Sequence, residues 1–350
     1  MRGRLGYKFV TTAFLLAGCS AGTPPRTVAS APTVEVPASA ETVAVATQLA
    51  DAADDPAIWT RPGGFAFAGK AQRGIILGTD KKAGLYVFGL DGQSLQFLPE
   101  GLLNNVDLRS EGAGFVAGAS DRGRMGVALY RFTGSGALAP AGFVRSDVGE
   151  PYGFCMGRID GGLVAVLVAK DGQVREYALA EGPDGFTGTE RRRYAVGSQS
   201  EGCTVDDATA TLYIGEELKG VWRYPLKAAP GTRTLVAGIG DGRLVADVEG
   251  TTLIRDGGRT LLLVSSQGDS AFAVWDVTGA AGAERYVGRF RVAAAGGVDG
   301  VSGTDGIDAW TGAIGPYGSG LVVVQDDVNE GGAQNFKLVD WKAVRAALGL

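Results

Sequence analysis

Short apolar runs that each end in a polar residue recur along the chain. Each run is followed by a glycine-containing turn and by a second run with an aromatic residue, which predicts pairs of antiparallel β-strands. The end residues of successive runs are 41 to 59 positions apart, a repeat length typical of propeller blades. The sequence therefore predicts an all-β fold, a six-bladed β-propeller over residues 41–350. The six runs are 76–81, 115–122, 166–170, 212–217, 262–267 and 322–326.

A second set of polar residues precedes the ends of these runs by 16 to 18 positions. Two strands of about six residues joined by a tight turn span this length, so the start of the first strand and the end of the second lie at one edge of the sheet. Around a propeller axis such edges meet at the mouth of the central channel, where we expect these side chains to gather. The pairs are Asn105 with Arg122, Tyr152 with Lys170, Glu201 with Glu217, Glu249 with Gln267, and Asp308 with Asp326.

Many of the residues expected at the mouth are acidic. Ionised carboxylates crowded together repel one another, so a cation is expected among them. Oxygen ligands without histidine or thiolate favour a hard ion, and a flexible cup of several carboxylates favours Ca²⁺ over Mg²⁺. Solvated turn residues are the alternative for any single pair, but the recurrence in blade register favours a site. The acids are Asp54, Asp55, Glu201, Glu217, Asp247, Glu249, Asp305 and Asp308.

The same face carries side chains that bind phosphate. Arg122 presents a planar fork of donors, Lys81 and Lys170 present point charges, and Tyr152 presents a hydroxyl. A face with both carboxylates and cations suits an anion bound through bridging metal ions.

The composition limits the chemistry further. The 350 residues include no histidine, which excludes Ser-His-Asp hydrolases, histidine-ligated zinc enzymes and histidine acid phosphatases. The 57 glycines have no collagen-like period, and the hydrophobic content of 45% is enough for a core. The formal net charge of -5 makes nucleic acid an unfavourable partner. We therefore expect a small-molecule substrate, and because a propeller closes on itself we expect a monomer.

The N-terminal residues resemble a bacterial lipoprotein signal. Basic residues precede an apolar run that is too short to span a bilayer, and the sequence Leu16-Ala17-Gly18-Cys19 resembles a lipobox. We expect residues 1–18 to be a signal peptide, Cys19 to be lipidated, and the Pro-, Thr-, Ala- and Ser-rich residues 19–40 to be a flexible tether. The expected location is the bacterial cell envelope, as an outer-membrane lipoprotein in the periplasm or at the surface, with the lipid anchor as the membrane contact. An ordinary secretory peptide and a secreted protein are the alternative.

Two further cysteines, Cys155 and Cys203, remain in the mature chain. In an oxidising compartment they are candidates for a disulfide bond. Two buried free thiols are the alternative.

Ten segments, in order from residue 51 to the C-terminal part, resemble motifs of the β-propeller phytases. They include Asp51-Ala-Ala-Asp54-Asp55-Pro56, Gly215-Glu216-Glu217 and Asp247-Val248-Glu249-Gly250. Gly303, before Thr304, and Leu218-Lys219 depart from the pattern. The ten segments are 51–59, 78–85, 103–109, 150–154, 201–203, 215–217, 247–250, 265–268, 304–308 and 334–339.

The resemblance implies a calcium-dependent phosphomonoesterase. Its substrate would be phytate, myo-inositol hexakisphosphate, which water activated by several Ca²⁺ ions would hydrolyse to lower inositol phosphates and inorganic phosphate. It implies substrate-binding roles for Lys81, Arg122, Tyr152 and Lys170, which with Glu201 and Glu217 form the expected catalytic set. The implied metal ligands are Glu41, Asp54, Asp55, Glu201, Glu217, Asp247, Glu249, Gln267 and Asp305.

Two other functions remain open from the sequence. One is a calcium-dependent lactonase or esterase propeller, although three Lys or Arg residues at blade ends suit a sugar lactone poorly. The other is a propeller that binds inositol phosphates without cleaving them.

Overall fold

The computed structural model describes residues 29–48 and 50–350. The predicted signal peptide, the predicted lipidation site Cys19 and the first part of the predicted tether lie outside these residues. The described part contains 27 strands, one α-helix and two 3₁₀ turns, Ile239–Asp241 and Gln267–Asp269. In chain order the elements are β1 Thr33–Pro37, β2 Ala40–Glu41, β3 Ala53–Trp59, β4 Phe65–Phe67, β5 Lys70–Gln72, β6 Ile75–Asp80, β7 Gly84–Gly89, β8 Ser94–Leu98, β9 Leu103–Glu111, β10 Gly114–Asp121, β11 Gly126–Phe132, β12 Ala139–Arg145, β13 Pro151–Ile159, β14 Gly162–Ala169, β15 Gln173–Gly182, β16 Gly185–Ala195, β17 Ser200–Asp206, β18 Thr211–Glu216, β19 Gly220–Pro225, β20 Thr234–Gly238, β21 Val248–Asp256, β22 Arg259–Ser266, β23 Ala271–Asp276, β24 Arg285–Ala293, β25 Ile307–Thr311, β26 Gly320–Asp326, β27 Asn335–Asp340 and α1 Trp341–Leu348.

Most strands pair with the next strand along the chain in antiparallel sheets. Four-stranded sheets are formed by β3-β6-β7-β8 and by β17-β18-β19-β20, and β4 and β5 form a separate hairpin. The meander β21 to β24 gains β1 as a fifth strand, and β25 to β27 gains β2 as a fourth. In the eight-stranded sheet, β9–β12 and β13–β16 meet through one residue pair between β12 and β16, Gly142 with Phe186.

The first strand of each meander lies next to the first strand of the following one, and β25 returns to β3. These strands, here called the inner strands, are β3, β9, β13, β17, β21 and β25. Apolar side chains fill the space between neighbouring sheets: Trp59 packs against Phe115 and Phe132 with ring centroids 5.2 and 5.6 Å apart. The prediction of an all-β propeller is confirmed.

The tether ends earlier than the sequence predicted. Residues 33–37 form β1, which pairs in parallel with β24, and the side chain of Val36 is buried. Residues 40–41 form β2, which pairs with β27 near the C-terminus. The alternating valines Val34 and Val36 give the segment a strand pattern that its Pro- and Ser-rich surroundings obscure. Residues 33–41 are therefore part of the folded domain, and β2 joins them to β27 near the C-terminus.

The helix α1 begins at Trp341 after Asp340, whose side chain accepts a hydrogen bond from Lys342 N. Its buried residues are Trp341 and Val344. Within residues 29–48 and 50–350, the structure has no helix of the length and apolar character needed to cross a membrane.

Candidate metal and phosphate site

Three buried glutamates gather at the mouth of the channel. Glu201 lies on β17, Glu217 follows β18, and Glu249 lies on β21. Each offers a carboxylate oxygen, and these oxygens all lie within 4.8 Å of one another. Among the described residues, Glu201 Oε2, Glu217 Oε1 and Glu249 Oε2 have no hydrogen-bond partner. We call these three residues the glutamate group; their charge is not compensated within the group.

Burial and mutual repulsion favour the protonated forms of these acids. Burial raises the pKa of Glu201 to about 7, although Lys81 opposes the rise. Burial also raises the pKa of Glu217 to about 7, and Asp247 adds to it. The pKa of Glu249 rises well above its ordinary value through burial and the charges of Glu201 and Asp305. At neutral pH the group therefore favours binding either protons or a cation.

Lys81 is a buried cation whose charge acts on Glu201 and Glu249. Its buried ammonium lies 2.7 Å from Asp51 Oδ1, 3.2 Å from Asp54 Oδ1 and 3.0 Å from Asp305 Oδ2. These charges, together with that of Glu201, raise the pKa of Lys81 well above its ordinary value, although burial opposes the rise. One lysine faces more carboxylates than it can neutralise.

Local breaks in strand pairing place the candidate residues. At five positions an inner strand contains one more residue than its hydrogen-bonded partner, which is a β-bulge. A bulge turns a side chain away from the regular alternation, and here it brings acidic and polar side chains to the mouth. The bulges contain Asp54-Asp55, Asn104-Asn105, Tyr152, Glu201-Gly202 and Glu249-Gly250.

Glu201 and Glu249 are each followed by a glycine because the chain there lies in close contact with a neighbouring stretch of backbone. A Cβ on Gly202 would collide with the carbonyl of Glu249, and a Cβ on Gly250 would lie 2.7 Å from the carbonyl of Asp305. Gly250 N also donates a hydrogen bond to that carbonyl at 3.0 Å. The spacing of the acids around the mouth therefore depends on close contact between backbones.

The predicted phosphate-binding residues lie around the same opening. Arg122 Nη2 donates to the carbonyl of Lys81 at 2.8 Å. Lys170 is exposed, and its Nζ lies 5.1 Å from the centroid of the Tyr152 ring. Burial and the charges of Glu201 and Glu249 raise the pKa of Tyr152, so its hydroxyl stays protonated. Of the four predicted residues, Lys81, Tyr152 and Lys170 thus interact with members of the glutamate group, and Arg122 contacts the backbone of Lys81.

Asp247, Gln267 and Asp305 join this arrangement through hydrogen bonds. Gln267 N donates to the carbonyl of Asp247 at 3.0 Å, and Gln267 Nε2 donates to Asp305 Oδ1. The charge of Asp247 helps to raise the pKa of Glu217, and the charge of Asp305 helps to raise the pKa of all three members of the glutamate group.

Glu41, a predicted metal ligand, lies beside an internal lysine and apart from the three glutamates. Its Oε2 lies 2.5 Å from Lys337 Nζ and accepts a hydrogen bond from Asn335 Nδ2 at 2.9 Å. The same ammonium contacts Asp299 and lies 3.3 Å from Asp326 Oδ2. We call these five residues the Lys337 cluster. Glu41 therefore belongs to the junction of β2 and β27 rather than to the glutamate group.

Asp55 and Asp308 lie in the channel, which contains a cavity of about 720 Å³. Asp55 Oδ2 accepts a hydrogen bond from Val106 N at 3.1 Å, and Asp308 Oδ2 accepts one from Ile58 N at 2.7 Å. Each carboxylate thus binds the backbone of a neighbouring inner strand. The expectation that Asp308 joins the acids at the mouth is wrong; Asp55 lies next to Asp54 but faces into the channel.

Comparison with known proteins identifies the family. The family model for phytase matches residues 8–350. The chain belongs to the phytase family. The resemblance read from the sequence motifs is therefore confirmed.

A relative of this phytase supports the same assignment. The 3-phytase of Bacillus subtilis (strain 168) is 34% identical over 321 residues, which cover 85% of this chain and 82% of that protein. Family and relative together make the chain an enzyme, a phytase, rather than a lactonase or a non-catalytic binding protein.

Two solved structures resemble this phytase weakly. The β-propeller domain of Myceliophteria thermophila Cps50 (Swd1) has a TM-score of 0.48 and 10% identity, covering 82% of each chain. A thermostable family-43 glycoside hydrolase has a TM-score of 0.45 and 12% identity, covering 68% of this chain and 88% of that one. These likenesses carry no argument about function.

The side chains at the mouth of the phytase fit calcium. The ligand atoms available there are carboxylate and amide oxygens, the type that Ca²⁺ binds. Buried oxygens of all three glutamates have no hydrogen-bond partner among the described residues, although buried polar atoms normally have one. An oxygen-binding cation would satisfy both the charge and these unpaired atoms.

Two residues of the site were missed by sequence reasoning. Asp51 contacts Lys81, and Asn104, which is fully buried, donates to Glu201 Oε1 at 2.5 Å. Asn104 stands beside Asn105, which the spacing did select. The doubled asparagine was the available signal, but a regular strand would point its two side chains to opposite faces.

The phytase has a disulfide bond between Cys155 on β13 and Cys203 on β17, with Cα atoms 5.6 Å apart. The bond joins two neighbouring inner strands at Cys203, the residue that follows Glu201-Gly202 in the chain. A crosslink that closes a loop of this length stabilises by roughly 4 kcal/mol in the chain-entropy account. It therefore helps to hold one side of the mouth.

Proposed function

We propose that this phytase is a calcium-dependent phosphomonoesterase that hydrolyses phytate to lower inositol phosphates and inorganic phosphate. The observation that carries the proposal is the glutamate group, whose buried oxygens include unpaired ones and whose members interact with the charges of Lys81 and Lys170. An acidic cup alone would repel a polyanion such as phytate, so the substrate requires a change in local charge.

Glu201, Glu217 and Glu249 would hold the calcium, with Asp54, Asp247, Gln267 and Asp305 around them. Bound calcium supplies positive charge that attracts phosphate groups and activates water for attack on phosphorus.

The phosphate-binding side chains act on the substrate itself. Arg122 and Lys170 would bind and orient phosphate oxygens and stabilise the charge that develops on them during phosphate release. Tyr152, held protonated by its raised pKa, can donate a hydrogen bond to a phosphate oxygen. Lys81, held among three carboxylates, sets the position of Asp54 and Asp305 and presents its charge to the same space.

We also propose that the propeller has six blades. The six inner strands contact one another in ring order, and β9–β12 and β13–β16 share a single residue pair, which supports counting them as two blades. An experimental structure with one continuous sheet across β12 and β16 would contradict this count.

The test of calcium dependence is phosphate release from phytate by the full-length protein. We expect activity with added calcium, its loss in EDTA, and its return when calcium is restored. Glu217→Gln should lower the rate on the order of 100-fold or more because it removes a charged ligand oxygen. The matched control Glu181→Gln makes the same change on β15, where Glu181 pairs with Arg131, and should leave the rate unchanged. Full activity in EDTA, or a wild-type rate for Glu217→Gln, would contradict the proposal.

A further inference from the structure

We propose that Asn104 is a positioning residue, whose carboxamide holds one oxygen of Glu201 and thereby presents the other oxygen to the calcium ion. This role rests on the proposed calcium dependence. It concerns a residue that does not itself need to touch the metal or the phosphate.

The contact between the two side chains is buried and direct. Asn104 Nδ2 donates to Glu201 Oε1 at 2.5 Å, and the two residues are 0% and 2% exposed. Glu201 Oε2 has no hydrogen-bond partner within the described chain. One oxygen is therefore anchored and the other is available, which fixes the rotation of the carboxylate.

The contact crosses the opening of the channel. Asn104 lies on β9 and Glu201 on β17, and β13 stands between these two inner strands in the ring. Tyr152 on β13 also forms a hydrogen bond with the Glu201 side chain. Asn104 adds a donor from the far side of β13, at a defined oxygen.

The bulge in β9 makes this reach possible. Asn104 and Asn105 together face the single residue Ser120 on β10. Asn105 N donates to Ser120 Oγ at 3.1 Å, and that hydroxyl donates to the carbonyl of Tyr152 at 2.5 Å. Ser120 thus accepts a hydrogen bond from a backbone amide that the bulge leaves without a partner in the sheet. Its hydroxyl also links β9 to the next inner strand, β13.

The neighbouring carboxamide strengthens the same anchor. With its nitrogen turned toward the acceptors, Asn105 donates to Glu201 Oε1 at 3.0 Å and to the carbonyl of Tyr152 at 3.0 Å. Two amides of consecutive residues then hold one glutamate oxygen.

An amide is the side chain that this position requires. An aspartate at position 104 would add a further negative charge beside carboxylates that already lack partners. A lysine would neutralise Glu201 and leave less charge for the metal, as Lys337 does for Glu41. A neutral donor orients the carboxylate and leaves its charge in place.

The experiment is a double-mutant cycle read by calorimetric titration of the full-length protein with calcium chloride alone, without phytate. Asn104→Leu removes the donor at nearly constant size, and we expect it to weaken calcium binding at least about tenfold. In the Glu201→Gln background the same substitution should change the remaining calcium affinity less than about twofold, because its effect passes through the Glu201 carboxylate.

Two further variants separate positioning from folding. Val323→Ala changes a fully buried residue of β26 and should lower the thermal midpoint without changing calcium affinity. If Asn104→Leu does not fold, Asn104→Ser, whose hydroxyl is too short to reach Glu201, takes its place with the same expectation.

The outcomes distinguish this inference from the function on which it rests. Wild-type affinity in the Asn104 variant, or an equal loss in both backgrounds, would overturn the positioning role while calcium dependence stands. A wild-type protein that binds no calcium would overturn the calcium proposal and the positioning role with it.

Discussion

The glutamate group and the Lys337 cluster bring together the same kinds of acid but differ in where the positive charge comes from. In the Lys337 cluster, one ammonium that is 0% exposed contacts Glu41, Asp299 and Asp326. In the glutamate group, oxygens of all three residues have no hydrogen-bond partner among the described residues. Lys337 supplies positive charge from within the chain, whereas the unpaired oxygens of the glutamate group suit a cation from solution.

The positions of the two clusters agree with this distinction. Glu41 and Lys337 are directly paired residues of β2 and β27, so the cluster joins the N-terminal segment to the C-terminal strand. Burial opposes the charge of Lys337, but Asp299 and Glu41 raise its pKa, so the lysine remains charged. The glutamate group lies instead at the opening of the channel, where solvent and substrate can enter.

Replacing Lys337 should have the largest effect on stability. Lys337→Met leaves several buried carboxylates without a cation, and we expect a loss of about 3–5 kcal/mol in the free energy of unfolding. Urea denaturation in EDTA measures it. Lys342→Met, an exposed position in α1, is the matched control and should change stability by less than about 0.5 kcal/mol.

Calcium added to the Lys337→Met protein tests whether the comparison holds. Because the lysine is the resident cation, we expect calcium to leave most of the stability loss in place. Recovery of wild-type stability with calcium would mean that this cluster also accepts an external cation, and the distinction between the two acidic regions would fail.

Adding one methyl group at the mouth should have a smaller effect on stability and a clear effect on function. In Gly202→Ala the new Cβ meets the carbonyl of Glu249, so two neighbouring bulges must move apart. We expect a loss of about 1–3 kcal/mol in the free energy of unfolding, as for other overpacked sites, and weaker calcium activation of phosphate release. Gly318→Ala has no heavy atom within 4 Å of its Cβ and serves as the control. Unchanged calcium activation in Gly202→Ala would show that backbone contact does not set the spacing of the acids.

Sequence spacing located the glutamate group because strand pairs have a regular length. The run 212–217 contains most of β18, and the antiparallel pairing of β17 with β18 places Glu201 near Glu217 as the count of residues requires. Apolar runs and glycine turns were likewise sufficient to predict the all-β propeller.

Sequence spacing failed for Asp308 because the local pairing there is regular. Asp308 precedes Asp326 by an interval within the 16 to 18 positions that define the other pairs. It lies in a regular part of the sheet opposite Val323, however, whereas Glu201 and Glu249 lie in bulges. Asp326 in turn contacts Lys337. Bulges arise from contacts between neighbouring strands, so a single strand's pattern does not reveal them; the same limit concealed Asn104.

Asp308 offers a third solution to the problem of a buried acid and yields an effect that depends on pH. Among the described residues no lysine forms an ion pair with it, and Ile58 N, Ala309 N and Thr252 Oγ1 donate hydrogen bonds to its carboxylate. Burial, with the charge of Asp107, raises the pKa of Asp308 to about 7. We therefore expect a proton, rather than a cation, to neutralise this carboxylate in the folded protein at mildly acidic pH.

The raised pKa fixes the sign of the pH dependence. Below about pH 4 both folded and unfolded states hold the proton, whereas between about pH 4 and about pH 7 the unfolded state releases it and the folded state retains it. The contribution of Asp308 to stability is therefore fully present at low pH and falls by up to about 1.4 kcal/mol per pH unit until pH passes the folded pKa. Asp308→Asn removes this pH-dependent contribution to stability. Urea denaturation of both proteins in EDTA across this range should give a shallower decline for the variant, and parallel curves would show that Asp308 keeps an ordinary pKa in the channel.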